Sequence, residues 1–141
     1  MNAEQSFLDK WGPIILEAVL ETFQMASIAL VISIALGVPL GLILVLTRPG
    51  QSFENKWLYQ ISNLVINIIR SIPFIILLFF ILPFTKFLVG TTIGVKGVIV
   101  PLVVYTAPYI ARLMETALLE VSPGVVEAYT AMGVKRRHII W

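Results

Sequence analysis

Asn63, Asn67, Arg70 and Ser71 stand out among the polar side chains that interrupt the apolar run "ISNLVINIIRSIPF". Their spacing of i, i+4, i+7 and i+8 places them on one face of a helix. Amides, a guanidinium and a hydroxyl so arranged can hydrogen-bond and recognise charge. They include no nucleophile beside a base. A second polar stretch, "VEAYTAMGVKRRHIIW" at residues 126–141, carries Glu127, Lys135, Arg136, Arg137 and the single His138. His138 has no Asp or Ser neighbour arranged for catalysis and reads as part of a basic surface. The chain has no cysteine, which excludes disulfides and thiolate metal sites. No metal-ligand spacing is present. A phosphate-binding loop needs G-x-x-x-x-G-K-[ST]. The nearest stretch, "GTTIGVKG" at residues 90–97, misplaces its glycine and lysine and has Gly97 where the hydroxyl should be.

The elements that must hold these residues are membrane spans. The 141 residues are 58% hydrophobic and 13% charged, against about 25% charged in soluble domains. Residues 23–46 contain no charge and are long enough to cross a hydrocarbon core of about 30 Å. Pro39 falls within them. A second span is expected at residues 60–84, stopped by Pro83, and a third at residues 93–111 with Pro101 and Pro108 inside. The N-terminal "MNAEQSFLDKWGP" has neither the basic region nor the cleavage site of a signal peptide. Residues 1–16 are therefore expected to stay as an external segment. The net charge of +2 is dispersed in small clusters, which gives no nucleic-acid patch.

Lysine and arginine set the orientation. Arg48, Lys56, Arg112, Lys135, Arg136 and Arg137 fall on one side, and Lys10, Lys86 and Lys96 on the other. The richer side is cytoplasmic, so the N-terminus faces out and residue 141 lies inside. In the first span Ala29, Ser33, Gly37 and Gly41 recur every four residues, a small-residue stripe for close packing against a partner helix. In the second, Arg70 is either about 18 Å deep, if lipid begins near Leu58, or about 9 Å deep, if it begins near Leu64. The deeper position needs a polar interior and the shallower one permits snorkelling. Either way the asparagine face meets protein or water, as a polar stripe inside the bundle or at its rim.

After Ala111 the pattern becomes amphipathic. Leu113, Ala117 and Val121 share one face, with Glu115 and Glu120 off it. Ser122 and Pro123 restart a helix as N-cap and first helical residue. Gly133 is placed just past the end of that helix, residues 123–132. Val125, Ala128, Tyr129 and Met132 form its apolar face. On physical grounds it either rests on anionic lipid, drawn by the basic cluster, or docks on a soluble partner.

Resemblance distinguishes these two readings. Glu127, Ala128, Tyr129 and Gly133 in "EAYTAMG" resemble the E-A-A-x-x-x-G loop of ATP-binding-cassette (ABC) importer permeases, with Tyr129 in place of the second alanine. "TRPGQ" (47–51), "RSIPFIILLFFILPFTKFLVGTTIG" (70–94), "IVPL" (99–102) and "APYIARLMETALLEV" (107–121) resemble the methionine-importer branch in order and spacing. The likeness covers residue 17 to the end.

The resemblance implies an all-α integral membrane protein with the type I importer permease bundle. About three of the family's five spanning helices would be present, followed by the first part of the coupling region at residues 122–141. It implies a bacterial cytoplasmic (inner) membrane location, a second copy of the permease, cytoplasmic ABC ATPase subunits and an extracytoplasmic methionine-binding lipoprotein. ATP and magnesium would bind the partner ATPase, so this chain is expected to be no enzyme and to hold no cofactor. Residues 127–129, 133 and 135–137 would be the contact that couples the two subunits. In the family the loop continues past this glycine into further spans, so the sequence reads as truncated at its C-terminal side. An ABC permease for another amino acid shares the loop pattern. A secondary carrier or channel is disfavoured because all eight acidic residues lie outside the three apolar runs.

The charge bias makes Lys86 external and Lys135 cytoplasmic. With no native cysteine to interfere, Lys86→Cys should react with an impermeant thiol reagent added outside intact cells. Reaction only from the cytoplasmic side would overturn the orientation.

Overall fold

The computed structural model describes residues 2–139. Six helices follow in order: α1 (Asn2–Thr47), α2 (Lys56–Ser71), α3 (Phe74–Val89), α4 (Gly94–Leu119), α5 (Pro123–Ala131) and α6 (Arg136–Ile139). By length and composition α1 and α4 can each cross a membrane, and α2 with α3 can do so as a bent pair.

Helix α1 has 46 residues and contains Pro13 and Pro39. At 1.5 Å per residue it is about 69 Å long, well beyond the roughly 30 Å hydrocarbon core. Residues 2–16, expected as a separate external segment, are thus helical and continuous with the first span. Its buried face is Ala29, Ser33, Gly37, Gly41, Leu44 and Thr47. That face lies on α4. A Cβ on Gly37 would sit 2.7 Å from the Ala107 carbonyl oxygen and 2.8 Å from Ile110 Cβ. On Gly41 it would sit 2.6 Å from Met114 Cβ and 2.8 Å from the Ala111 carbonyl oxygen. Residue numbers rise together on both helices, so α1 and α4 run parallel.

Parallel neighbours require a return crossing between them, and α2 with α3 supply it. The turn after α1 is closed by Phe53 N–H donating to the Leu46 carbonyl and Asn55 N–H to that of Thr47. Asn55 Oδ1 then accepts from Leu58 N–H at 3.1 Å and caps α2. Helix α2 runs antiparallel to α4: Tyr59 lies beside Glu115 and Arg70 beside Tyr109. At Ile72 the backbone is extended (φ −83°, ψ 126°), as the residue before a proline prefers. After Pro73, α3 departs at 113° from α2.

The span expected at residues 60–84 is therefore built from two helices of 16 residues each. Each is about 24 Å long, too short to cross alone. Pro83 does not stop α3, which continues to Val89 and ends at Gly90, whose N–H bonds the Lys86 carbonyl. Proline removes one N–H from the ladder. In a lipid setting leaving the helix would strand more groups than that.

Helix α4 passes the expected end at residue 111 and reaches Leu119. The expected apolar face of Leu113, Ala117 and Val121 is not its inner face. Leu113 is 53% and Val121 47% exposed, while Glu115 is buried at 3%. The inward side is polar here because α2 offers it polar partners.

The α1–α4 contact leaves no room for a side chain at Gly41. Gly41→Leu should destabilise the purified chain by at least about 1–3 kcal/mol, as overpacking does, and lower its melting temperature in detergent. Gly12, with nothing within 4 Å of its would-be Cβ, is the control, since Gly12→Ala should not lower it. Equal melting of the two variants would contradict the packing described.

Candidate functional site: a buried polar cluster and an exposed helix

The cluster forms where α2 crosses α4. Helix α4 contributes Arg112 and Glu115, three residues apart on one face. Helix α2 contributes Tyr59, Asn63 and Asn67, each four residues after the last. Arg112 Nη2 donates to Asn63 Oδ1 at 2.5 Å and to Asn67 Oδ1 at 2.9 Å. Arg112 Nη1 donates to Glu115 Oε2, closing an ion pair. Tyr59 OH donates to Glu115 Oε1 at 3.4 Å. The planar fork of a guanidinium suits several acceptors at once. Arg112 Nε stays buried with no partner.

Nearby, the Arg70 guanidinium lies 5.5 Å from the Tyr109 ring centroid, within range of a cation–π contact. Ser71 Oγ donates to the Asn67 carbonyl at 2.7 Å. The stripe read from the sequence thus divides. Asn63 and Asn67 meet a charge on α4, Arg70 meets an aromatic face, and Ser71 turns back on its own helix. Asn63 is half-buried, and Asn67, Arg70 and Ser71 are exposed on this chain. The small-residue stripe of Ala29, Ser33, Gly37 and Gly41 is buried along the α1–α4 contact; Ser33 Oγ has no partner there.

Arg112 and Glu115 are the residues that sequence reasoning missed. Arg112 entered only as a cytoplasmic charge, and Glu115 was placed off the buried face. The available signal was an opposite-charge pair at i, i+3 beside a span, with two asparagines at i, i+4 in the preceding one. Their pairing matters energetically, because Glu115 is buried and Arg112 half-buried, so losing Arg112 would leave a buried carboxylate unpaired. Glu115 also lies inside a helix long enough to span, four residues past its apolar run. Its charge is matched by Arg112.

The second feature is α5. All of its residues are exposed, including Glu127, Ala128 and Tyr129. Pro123 opens it at the first helical position, where a missing N–H costs nothing. Ser122 occupies the N-cap position, but its side chain makes no capping bond; its carbonyl accepts from Val125 N–H at 3.0 Å. At the other end Gly133 has φ +77°. Gly133 N–H donates to the Thr130 carbonyl at 3.0 Å and Val134 N–H to that of Tyr129 at 3.1 Å. These are the two bonds of a Schellman stop, which needs a residue at ease in the left-handed region. Lys135 and Arg137 are exposed, and Arg137 Nε contacts His138 Nε2 at 3.4 Å. The side chain of Arg136, and residues 140 and 141 of the expected coupling region, lie outside the described residues.

Among the described residues no three His, Asp or Glu side chains converge as a metal site would need. The site can clamp helices together and present an exposed helix, and it holds no pair set up for acid–base or nucleophilic chemistry.

Comparison with known proteins places these features. Residues 37–141 match the family described as "Binding-protein-dependent transport system inner membrane component". The chain is 45% identical over 127 residues to the D-methionine transport system permease protein MetI of Escherichia coli K12, covering 90% of this chain and 58% of that protein. It is 49% identical over 120 residues to the protein of the same description from Yersinia pestis, covering 85% and 55%. A solved structure of inward-facing conformations of the MetNI methionine ABC transporter contains a chain that superposes with a TM-score of 0.86 at 44% identity. The superposition covers 93% of this chain and 61% of that one. The chain thus spans less than two thirds of the length of the curated relatives it matches.

Proposed function

Because the chain belongs to the family of binding-protein-dependent transport system inner membrane components, we propose that it forms part of the translocation pathway of an ATP-driven methionine importer. The observation that carries this is α5. It is an exposed helix, bounded by Pro123 and the stop at Gly133, and attached by residues 120–122 to a membrane-long helix. Its E-A-Y-x-x-x-G pattern, and relatives named for D-methionine transport at 45–49% identity, support both the coupling role and the substrate.

In this reading α5 lies in a groove on a cytoplasmic ABC ATPase subunit. Ala128 is the small residue that allows close approach, and Gly133 ends the helix sharply enough to fit. Glu127, Tyr129 and the basic residues 135–137 border the contact. A second copy of the permease completes the pathway, and an extracytoplasmic binding protein delivers methionine. ATP and magnesium sit on the ATPase, where the covalent chemistry occurs; this chain makes and breaks no bonds. The N-terminus is external and residues 135–137 cytoplasmic, as the basic bias requires. Closure of the ATPase dimer on ATP pushes α5, and the helices above rock between two access states. Nucleotide and substrate sites then influence one another reciprocally.

The test uses a full-length permease carrying this sequence. Ala128→Trp should insert normally, because no residue of the spanning helices changes, yet lose co-purification with the ATPase or lose substrate-stimulated ATP hydrolysis. Gly133→Val should act likewise, with roughly 1 kcal/mol of backbone strain at φ +77°. Normal co-purification and stimulation in both variants would overturn the docking role. A lipid-resting helix would instead bind membrane more tightly with Trp at position 128.

A further inference from the structure

Between the membrane helices and α5, the cluster at Arg112 occupies a particular place. Beyond Glu115 no described residue is buried. Glu120, the cap of α4, remains helical at φ −72°, ψ −17°, with its N–H bonded to the Thr116 carbonyl. The end of α4 is therefore a lever carrying α5. Moving inward along that lever from α5, the first buried residue is Glu115, which accepts from Tyr59 on α2 and pairs with Arg112, the residue that holds the asparagines. Those asparagines stand on α2, and Asn67 is five residues before the break at Ile72 and Pro73.

Two of the helices packed on α4, α1 and α2, are held in different ways. Against α1 the backbones approach so closely at Gly37 and Gly41 that sliding would drive atoms into one another. Packed interfaces of this kind move as one body. Against α2 the tie is a small apolar contact, Ile66 packed with Ala111 and Leu44, and beside it a guanidinium donating to two amide oxygens. Such bonds exchange for water or another acceptor at small net cost. Asn67 is already exposed, so water can reach one of the two. The guanidinium also keeps a buried, unpaired Nε–H. A buried donor without a partner is costly, which favours any rearrangement that pairs Nε.

We propose that Arg112 is a latch between α4 and the broken helix α2–α3. In the state seen here it grips Asn63 and Asn67. In the other access state it lets them go while Glu115 keeps its hold on the guanidinium. Motion of α5 thereby reaches the bend at Pro73. Arg112, Glu115, Asn63 and Asn67 are positioning residues in this scheme. It rests on the importer reading above, so the test must tell the two apart.

The experiment reconstitutes full-length permease carrying this sequence with its ATPase and methionine-binding protein in liposomes. It reads methionine taken up per ATP hydrolysed, the turnover rate, and the melting temperature. The pair Asn63→Leu/Asn67→Leu removes the grip and should lower uptake per ATP by about fivefold, a typical size for residues that transmit coupling. The pair Asn63→Asp/Asn67→Asp keeps acceptors and tightens them with charge. It should preserve uptake per ATP and slow turnover, because release is harder. A leucine pair that melts lower but moves as much methionine per ATP overturns the latch and leaves a purely structural tie. If the leucine pair fails to assemble, the aspartate pair decides: turnover at or above the unaltered rate overturns it. Failure of the unaltered complex to hydrolyse ATP in response to methionine overturns the importer reading itself.

Discussion

The close approach of α1 to α4 is the constraint on which the rest of the structure depends. At Gly37 and Gly41 the two helices meet with no space for a Cβ. Lipid tails are as apolar as leucine, so hydrophobicity alone does not bring spanning helices together; close backbone contact does. Because the approach is parallel, the chain must recross between the two helices. That requirement gives the bent pair α2–α3 its role, and Pro73 supplies the bend. The parallel course also carries the end of α4 out on the same side as the end of α1, leaving α5 beyond the packed helices.

Polarity is the second organising force. A guanidinium or carboxylate inside a bundle needs a partner, and Arg112 and Glu115 satisfy each other first. Asn63, Asn67 and Tyr59 then complete a cluster that joins α2 to α4. The molecule so combines a shape-locked backbone contact between α4 and α1 with a contact to α2 in which an exchangeable polar grip lies beside the packed Ile66. Helix α5 relies on neither. Its limits are local, a proline at the first turn and the paired backbone bonds at Gly133. A short helix is marginal by itself, and one with all its residues exposed invites a partner to stabilise it.

How much of this was legible in the sequence depended on how local the cause was. The stripe from Ala29 to Gly41 and the stop at Gly133 could be read directly, because small residues at period four and a glycine past a helix end act within a turn or two. The asparagine stripe was visible as well, although its partner was not. Arg112 and Glu115 resemble a solvated loop end when read alone, since each is explained only by side chains about fifty residues earlier. The break at residues 72–73 is half legible: a proline at 73 interrupts the helical ladder, but a bend of 113° depends on how α3 packs against α4. Pro83 misled in the opposite direction, because proline's usual effect in water is weaker where leaving a helix strands backbone groups in lipid. Family resemblance is what points α5 towards the proposed coupling role, where periodicity alone is balanced between lipid and protein.

The measurement that bears most directly on ATP-driven methionine import is uptake of labelled methionine into liposomes. They would contain full-length permease with this sequence, its ATPase with ATP enclosed, and the binding protein outside. Accumulation above the external concentration is expected, lost when ATP or the binding protein is omitted, and unaffected by a collapsed proton gradient. Accumulation that needs a proton gradient and ignores ATP would contradict it.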